Sequence, residues 1–375
     1  MRTAKMITLK KSIYLVSVLL LSSVPAHALD QIIRPYQSVR SSAMGSVRIT
    51  TGLYDENFFG NPARVTANPK FRFTVLDPTI EVNSGAIGRV GDFSSSGDPM
   101  QKFGDAMGDN HHIRIQTSMP SIYFPVRKNG KMAYAFGILT NTQADLDLRR
   151  SFRVSPQGVT DIGPALTIGR KFMDSERLSV GMTTHFTYRI STSAERTMAQ
   201  LLSNSSFATK DYGHDGSMID FDLGATYVMP WGFKGFTYHS ALTINNALGG
   251  RYSNMKVAPL NTGSLPAEQP RAFGMGLSAR KDVLGKFTNF VLALEFTDIG
   301  NNTNGSIFRT VHLGSEARYG VFLPRFGINQ GYLTGGMGLD LRFLTFEYAY
   351  STEEMSLNVG VFPDHRHTFK LALQI

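Results

Sequence analysis

The segment from Phe287 to Thr297, FTNFVLALEFT, decides the fold class, because apolar and polar side chains alternate along it. From Phe290 to Phe296 every even-numbered position is a large apolar residue, and Asn289 and Glu295 stand at odd-numbered positions. Successive side chains of a β-strand point to opposite faces, so this period of two predicts a strand with one apolar face. A strand of about 9–11 tilted residues crosses a bilayer, whereas strands of soluble sandwiches usually have about 5–6.

The same alternation recurs along the chain from about residue 131 onward, with Gly, Asn, Asp, Ser and Pro between the segments. The last ten residues repeat it, with Phe369, Leu371 and Leu373 opposite Lys370 and Gln374. An apolar residue ending such a strand resembles the signal by which outer-membrane barrels are recognised for assembly. We therefore predict an all-β protein: a transmembrane antiparallel barrel of about 14 strands, since bacterial single-chain barrels have even strand numbers. A soluble β-protein is the alternative.

The aromatic residues and the polar interruptions give this barrel two ends. Aromatic side chains such as Trp231, Tyr319 and Tyr348 stand near predicted strand ends, as an interfacial girdle requires. The polar stretches 81–118, 191–217 and 247–270 are too long for periplasmic turns, so we predict that they are extracellular loops. Segments 131–140 and 145–153 are predicted as separate strands, and 71–80 and 145–153 have the weakest patterns.

The first residues have the layout of a secretory signal peptide. Arg2, Lys5, Lys10 and Lys11 precede an apolar run from Ser12 to Val24, and Ala26-His27-Ala28 fits an A-x-A cleavage site. This apolar run is shorter than the roughly 20 residues that a membrane-spanning helix needs. We predict that residues 1–28 are a cleaved signal peptide and that the chain is exported to the outer membrane of a Gram-negative-type bacterium.

Composition excludes several other classes of protein. The chain has no cysteine, so neither disulfides nor Cys-based metal sites and nucleophiles are available. Its mean hydropathy is −0.11, an average that fits a wall of alternating lipid-facing and lumen-facing residues. The formal net charge is +9, but no compact run of Lys and Arg indicates a nucleic-acid partner.

Residues 29–70 do not fit a wall strand, because they contain several Gly and Pro residues and no sustained alternation. Asn61 followed by Pro62 predicts a short helix, with Asn61 as its N-cap and Pro62 at its first position. We predict that residues 29–70 form a small hatch or plug in the barrel, which then comprises residues 71–375. A flexible periplasmic tail is the alternative.

Two short motifs in this segment resemble those of the long-chain fatty-acid transporter superfamily of outer-membrane barrels. They are Ser42-Ala43-Met44-Gly45 and Glu56-Asn57-Phe58-Phe59-Gly60-Asn61-Pro62-Ala63. The related barrel of the type IX secretion apparatus has a similar opening. The resemblance implies a plugged 14-stranded barrel from which hydrophobic ligands leave sideways through the wall, and it assigns Met44, Gly45, Asn61, Pro62 and Ala63 to the hatch. Ser46 and Arg64 stand where the family usually has Gly.

Charged residues on the predicted strands indicate which face lines the lumen. A charge on the lipid face costs about 2–4 kcal/mol near the midplane, so we expect charged side chains to point inward. Cross-strand pairs such as Asp340 with Arg342 would tie the plug and the wall together; a selective solute path is the alternative. The predicted lumen-facing residues are Asp220, Asp222, Glu295, Arg309, Asp340, Arg342, Glu347 and Lys370.

We find no sequence motif for catalysis, a cofactor or a metal, and predict that the chain is not an enzyme. A barrel hydrolase, with Ser, His and an acid or amide brought together at the rim, is the alternative. His365 and His367 with Asp364 could ligate a metal, but a polar rim at the interface is the simpler interpretation. The predicted partners are outer-membrane lipid, the barrel-assembly machinery and a hydrophobic small molecule.

Two functions remain open: passage of hydrophobic or amphipathic, fatty-acid-like molecules across the outer membrane, or a non-transporting barrel that serves as anchor, shuttle or scaffold for a secretion or surface assembly. A secretion-system protein would be a partner in the second.

Overall fold

The computed structural model describes residues 36–87, 110–149, 153–173, 175–193, 196–197, 213–255, 257, 264–301, 305–356 and 358–375. The predicted signal peptide and residues 29–35 of the predicted hatch lie outside the described residues. Among the described residues, no helix combines the length and the apolar character needed to span a bilayer.

The described residues form one antiparallel sheet of seventeen strands. The strands are β1 Arg72–Leu76, β2 Thr79–Asn83, β3 Asn110–Thr117, β4 Ser121–Phe124, β5 Met132–Arg149, β6 Arg153–Phe172, β7 Leu178–Ser193, β8 Arg196–Thr197, β9 Gly213–Phe233, β10 Phe236–Asn245, β11 Ala272–Leu284, β12 Phe287–Ile299, β13 Val311–Arg318, β14 Phe322–Asn329, β15 Tyr332–Asp340, β16 Leu344–Glu354 and β17 Pro363–Gln374.

The sheet closes on itself as a barrel with fourteen wall strands, as the sequence predicts. β1 and β2 are the two halves of one wall strand, because both pair with β17. β3 and β4 are likewise two halves of the next wall strand, because both pair with β5. The two-residue strand β8 pairs with Arg153 and Val154 at the start of β6 and is not counted as a wall strand.

Several predicted strand bounds are wrong. β5 is continuous from Met132 to Arg149, so 131–140 and 145–153 are not separate strands. The predicted loop 81–118 contains the end of β2 and all of β3, and the predicted loop 191–217 contains the ends of β7 and β9. In these segments the alternation continues, but one face of each strand carries polar residues. Because polar stretches are typical of loops, the sequence predicted loops there. The long connection predicted at 247–270 is confirmed, since β10 ends at Asn245 and β11 begins at Ala272. Its extracellular location stays a prediction.

Apolar side chains cover the outside of the barrel, and polar side chains fill the inside. On β12, Leu292 is 43% exposed and Glu295 is fully buried. On β17, Leu371 is 43% exposed and Lys370 only 9%. A soluble protein would bury the leucines, so this inverted pattern fits a wall that faces lipid.

One rim of the barrel carries exposed aromatic side chains beside short turns, as an interfacial girdle requires. They are Phe124, Phe172, Trp231, Phe233, Phe287, Tyr319 and Phe343. We call this rim the short-turn end, and the opposite rim, which carries the long connections, the long-loop end. In barrels of this class the short turns face the periplasm.

Residues 36–70, which we call the N-terminal segment, precede β1 and pack against the inner face of the wall. They contain helix α1 Val39–Ala43, helix α2 Glu56–Phe59 and a 3-10 helix, Pro62–Ala67. Phe58 and Val65 of the segment share a buried cluster with Tyr123 of β4 and Ala165 of β6.

Candidate functional site

The N-terminal segment approaches the wall where three neighbouring strands carry glycine. Gly169, Gly181 and Gly224 are opposite one another on β6, β7 and β9. A Cβ on Gly224 would lie 2.0 Å from Oδ1 of Asn61, and a Cβ on Gly181 would lie 2.5 Å from the backbone N of Ala63. Contacts this short leave no room for a side chain, so glycine is required here for the approach of the two backbones.

Asn61 fixes the turn that enters the 3-10 helix. Its Oδ1 accepts a hydrogen bond from the backbone N–H of Ala63 at 3.0 Å, and Pro62 occupies the first helical position. The predicted helix start is therefore confirmed. Nδ2 of Asn61 donates to the carbonyl oxygen of Ile49 at 2.9 Å, which joins the helix start to an earlier turn of the N-terminal segment.

Met44 and Gly45 contact the opposite part of the wall. The side chain of Met44 is fully buried and packs with Val291 of β12. Gly45 has a φ of +66°, and its N–H donates to Oγ1 of Thr334 at 2.9 Å. Nδ1 of His312 lies 2.9 Å from the carbonyl oxygen of Gly45 and must be the donor, because a carbonyl only accepts.

Glu295 binds three consecutive backbone amides of the N-terminal segment. Oε2 accepts from the N–H groups of Arg48 and Ile49 at 2.7 and 2.8 Å, and Oε1 accepts from the N–H and the hydroxyl of Thr50, both at 2.7 Å. A buried carboxylate is expensive unless such donors surround it.

Lys370 links the N-terminal segment to a break in the wall. Its Nζ lies 2.7 Å from Oδ2 of Asp55 and 3.7 Å from Oδ2 of Asp77. Asp77 stands between β1 and β2, where its Oδ1 accepts from the hydroxyl of Thr117 at 2.5 Å and from the N–H of Ser118 at 2.9 Å. The cluster of Asp55, Lys370 and Asp77 therefore joins the N-terminal segment to the wall at the break between β1 and β2.

A chain of ion pairs crosses from the wall to the N-terminal segment. Arg325 lies 2.6 Å from both Glu347 and Glu316, and Arg40 lies 2.9 Å from both Glu316 and Glu56. Burial by itself would lower the pKa of Arg40, but Glu316 and Glu56 raise it above its ordinary value. Burial raises the pKa of the Glu56 carboxyl although Arg40 opposes this change.

Asp220 and Asp222 hold the connection between β10 and β11. Asp220 accepts from the N–H groups of Leu248 and Gly250 at 2.8 and 2.7 Å, and Asp222 accepts from the N–H of Asn246 at 2.8 Å. Both carboxylates are buried and engaged with backbone, so they fix a loop at the long-loop end.

The expected pairing of Asp340 with Arg342 is wrong. Nη2 of Arg318 donates to Asp340 at 2.8 Å, while Arg342 lies exposed in the tight turn after β15 with a φ of +73°. The expected pair required Arg342 to lie on the strand with Asp340, but β15 ends at Asp340 and Arg342 lies in the turn that follows. Arg309 is also not on a wall strand: it lies in the 3-10 helix Ile307–Thr310, which precedes β13.

Sequence reasoning missed an ionic cluster near the long-loop end. The ring nitrogens of His112 lie 2.6 Å from Asp145 and 2.9 Å from Glu81, and Glu81 also lies 2.9 Å from Arg114 and 3.4 Å from Arg366. Three of these residues, Glu81, His112 and Arg114, fell inside the predicted loop 81–118. Alternation with Ile113 and Ile115 would have placed His112 and Arg114 on one inward face.

Among the described residues, no group of three or more His, Asp or Glu side chains is arranged to hold a metal ion. His365 and His367 stack on Tyr350 and Tyr348, with ring centroids 6.0 and 6.2 Å apart.

No protein-family model matches the sequence, and no curated sequence matches it. Solved structures do match. The toluene transporter TbuX of Ralstonia pickettii superposes with a TM-score of 0.50 at 12% identity, over 92% of this chain and 99% of that one. At this identity the likeness shows a shared β-barrel fold. The deltaS2 mutant of TodX, a monoaromatic hydrocarbon channel, also gives a TM-score of 0.50, at 10% identity and with the same coverage. The resemblance seen in the sequence is thus confirmed at the level of the fold.

Proposed function

We propose that this barrel passes hydrophobic or amphipathic small molecules across the outer membrane and that its N-terminal segment acts as the hatch. The observation that carries the proposal is that two neighbouring wall strands are both interrupted, at the same height in the barrel wall. Asp77-Pro78 separates β1 from β2, and Ser118-Met119-Pro120 separates β3 from β4. Proline has no N–H to donate to a neighbouring strand, so each break interrupts the hydrogen bonding of the wall.

The two breaks coincide in the sheet. β1 pairs with β4 through Thr74 and Ser121, and β2 pairs with β3 through Thr79 and Gln116. The interruptions therefore lie next to each other, between these two paired regions. An opening of the wall at these breaks would give an apolar molecule a route from lumen to bilayer that avoids the aqueous periplasm.

The N-terminal segment supports the same function because it packs against several strands of the wall. Its contacts extend from β6, β7 and β9 to β15 and β16. A water-filled pore would need this space open. A hatch beside a lateral break instead suits cargo that leaves through the wall.

The similar solved structures favour an apolar cargo. One is described as a toluene transporter and the other as a monoaromatic hydrocarbon channel. At 10–12% identity they share only the fold with this chain. We propose that this barrel also takes an apolar cargo.

A reversible cross-link tests whether the hatch must move. Oγ1 of Thr66 lies 3.0 Å from Oγ of Ser179 on β7, and the chain has no native cysteine. We would combine Thr66→Cys with Ser179→Cys and measure uptake of radiolabelled toluene and decanoate by cells that carry the barrel in their outer membrane. The matched control combines Thr142→Cys with Thr160→Cys, two wall residues whose hydroxyls are 3.3 Å apart.

We expect oxidation to stop uptake in the Thr66–Ser179 variant, reduction to restore it, and the control to transport under both conditions. Uptake that persists after verified oxidation would contradict a moving hatch. A folded barrel that takes up neither compound in any form would contradict transport.

The second candidate is a non-transporting scaffold for a secretion or surface assembly. The ion pairs from Glu347 through Arg325, Glu316 and Arg40 to Glu56 favour it, since they tie the segment to the wall. A stable protein partner that co-purifies with a transport-inactive barrel would support this alternative.

A further inference from the structure

One wall strand carries a lysine on its lipid-facing side. Lys281 of β11 shares the outward face of the strand with Leu277 and Val283, which are 53% and 60% exposed. A charge on this face is costly at the midplane of a bilayer and is tolerated near its interfaces. Lys281 lies close to the end of β11, at the short-turn end of the barrel, so it stands where such a charge is tolerated.

The side chain of Lys281 extends to the tip of the neighbouring hairpin. Its Nζ donates to the carbonyl oxygen of Lys234 at 3.0 Å, in the turn between β9 and β10. A Cβ on Gly235 of the same turn would lie 3.5 Å from Cε of Lys281. Lysines at a membrane edge commonly cover apolar surface with the stem and turn the charged head toward water. The contact brings two lysines from neighbouring hairpins together at one point of the rim.

Aromatic rings surround these two lysines. Nζ of Lys281 lies 5.0 Å from the ring centroid of Phe236. Trp231 packs on Tyr238, with ring centroids 5.0 Å apart, and 59% of Trp231 is exposed. Tryptophan and tyrosine are enriched at the level of lipid head groups. We call Trp231, Lys234, Phe236, Tyr238 and Lys281 the lysine patch.

No neighbouring acid balances the charge of the lysine patch. In the part of the chain that the structure describes, the heads of Lys234 and Lys281 contact aromatic rings and a carbonyl oxygen, and neither forms an ion pair. By contrast, Nζ of Lys171 in the next short hairpin lies 3.3 Å from Oε2 of Glu176. The patch therefore keeps two positive charges for an anion from outside the chain.

The surroundings of the lysine patch decide what this anion is. The patch lies on the outside of the wall, where apolar side chains face hydrocarbon, and at the height of the exposed aromatic side chains of the short-turn end. The anion that a membrane presents at this depth is the phosphate of a lipid head group. Lysines near a lipid surface attract anionic lipids, and the attraction falls off within about one Debye length.

We propose that the lysine patch binds the phosphate of an anionic glycerophospholipid in the leaflet at the short-turn end. The acyl chains lie against the outward faces of β10 and β11, where Leu242 and Leu277 are 62% and 53% exposed. A zwitterionic lipid brings its own cation, which is repelled by the lysines, so the patch favours head groups with a net negative charge. The site lies outside the lumen and does not depend on the proposed transport function.

The test uses Trp231 as a reporter, because it is the only tryptophan of the chain. Purified full-length barrel is reconstituted in vesicles of phosphatidylcholine that contain increasing fractions of brominated phosphatidylglycerol or, in parallel, of brominated phosphatidylcholine. Bromine on an acyl chain quenches tryptophan fluorescence on contact. The two quenching curves therefore give the relative affinity of the two head groups for the site beside Trp231.

The test variant combines Lys234→Asn with Lys281→Gln. Asparagine suits position 234, where φ is +49°. The matched control combines Lys128→Asn with Lys131→Gln, which removes two exposed lysines from the β4–β5 turn at the same rim. Heat-dependent migration in detergent gels verifies that each variant is folded. If the double variant does not fold, Lys234→Asn alone takes its place.

We expect phosphatidylglycerol to bind beside Trp231 of the wild-type barrel about fivefold more tightly than phosphatidylcholine, the factor that one lysine near a lipid surface typically contributes. The Lys234 and Lys281 variant should bind the two lipids equally, because its patch has lost both charges. The control should keep the preference of the wild type.

Four results would overturn the inference, and each leaves the transport function standing. Equal quenching of the wild type by the two lipids would refute a preference for anionic head groups. A preference that survives in the folded test variant would place it at other residues. An equal loss in the control would show that the overall charge of the rim is responsible. If neither lipid quenches Trp231, the patch faces water, where an acidic protein would be its partner.

Discussion

The carboxylate of Glu295 accepts two hydrogen bonds from Thr50, one from its backbone N–H and one from its hydroxyl, both at 2.7 Å. The two residues are 245 positions apart in the sequence. Together with the amides of Arg48 and Ile49, this contact attaches the N-terminal segment to the middle of β12. A charged acceptor with four short donors is a strong attachment, since hydrogen bonds to charged groups contribute about 1.5–3 kcal/mol each.

Glu295→Gln should loosen the N-terminal segment without opening the barrel. The amide side chain loses the charge, and its NH₂ group cannot accept from backbone amides. We expect hydrogen exchange at residues 48–50 to accelerate at least tenfold, while the amides of β12 remain protected. Glu176→Gln is the control, since Glu176 lies half-exposed in a hairpin turn beside Lys171. Unchanged exchange at residues 48–50 would show that Glu295 is not a main attachment.

Gly181→Ala should displace the Asn61-Pro62-Ala63 turn from the wall. The new Cβ would lie 2.5 Å from backbone atoms of Pro62 and Ala63, and overpacking of this kind typically costs about 1–3 kcal/mol. Limited proteolysis should then cut the N-terminal segment faster. Gly335→Ala is the matched control, because its nearest neighbours would be 3.8 Å away. Equal cleavage of the two variants would contradict the close approach.

Lys370 and Asp55 should couple in a double-mutant cycle of Lys370→Gln and Asp55→Asn. The 2.7 Å pair is mostly buried, with side chains 10% and 22% exposed, so solvent screens it only in part. We expect a coupling free energy of about 1 kcal/mol in the unfolding of the barrel by urea in lipid vesicles.

The comparison cycle uses Lys171→Gln with Glu176→Gln. This pair is 3.3 Å apart at an exposed turn, where an ion pair contributes less than about 1 kcal/mol. If the coupling free energy of Lys370 and Asp55 is no larger than that of the exposed pair, this ion pair does not stabilise the contact between the N-terminal segment and the break at Asp77-Pro78.

Leu292→Arg should prevent stable insertion, because Leu292 lies on the outward face near the middle of β12. An arginine facing lipid near the midplane costs about 2–4 kcal/mol. The measurement is the fraction of folded barrel in outer-membrane preparations. Leu265→Arg introduces the same charge in the connection between β10 and β11 and should insert normally. Normal insertion of Leu292→Arg would mean that this face does not meet hydrocarbon.

The class of fold could be predicted from the sequence, because alternation is a local property of each strand. Phe290, Leu292 and Leu294 share a face in any extended chain, and the length of the segment separates a membrane strand from a soluble one. Strands with polar inward faces, such as β3, were lost to predicted loops because their alternation is carried partly by His and Arg. The break at Asp77-Pro78 was missed because the predicted strand 71–80 runs straight through it, and only pairing with the neighbouring strands reveals the interruption.

The sequence by itself determined the alternation, the turns and the helix start at Asn61, since each depends on neighbours along the chain. Only the tertiary structure decided which charges meet. Arg342 is two residues from Asp340, yet Arg318 pairs with it, and Glu295 binds amides from the N-terminal segment. The reason is physical: closure of the barrel fixes the register of fourteen wall strands together, and that register selects the partner of every inward-facing side chain.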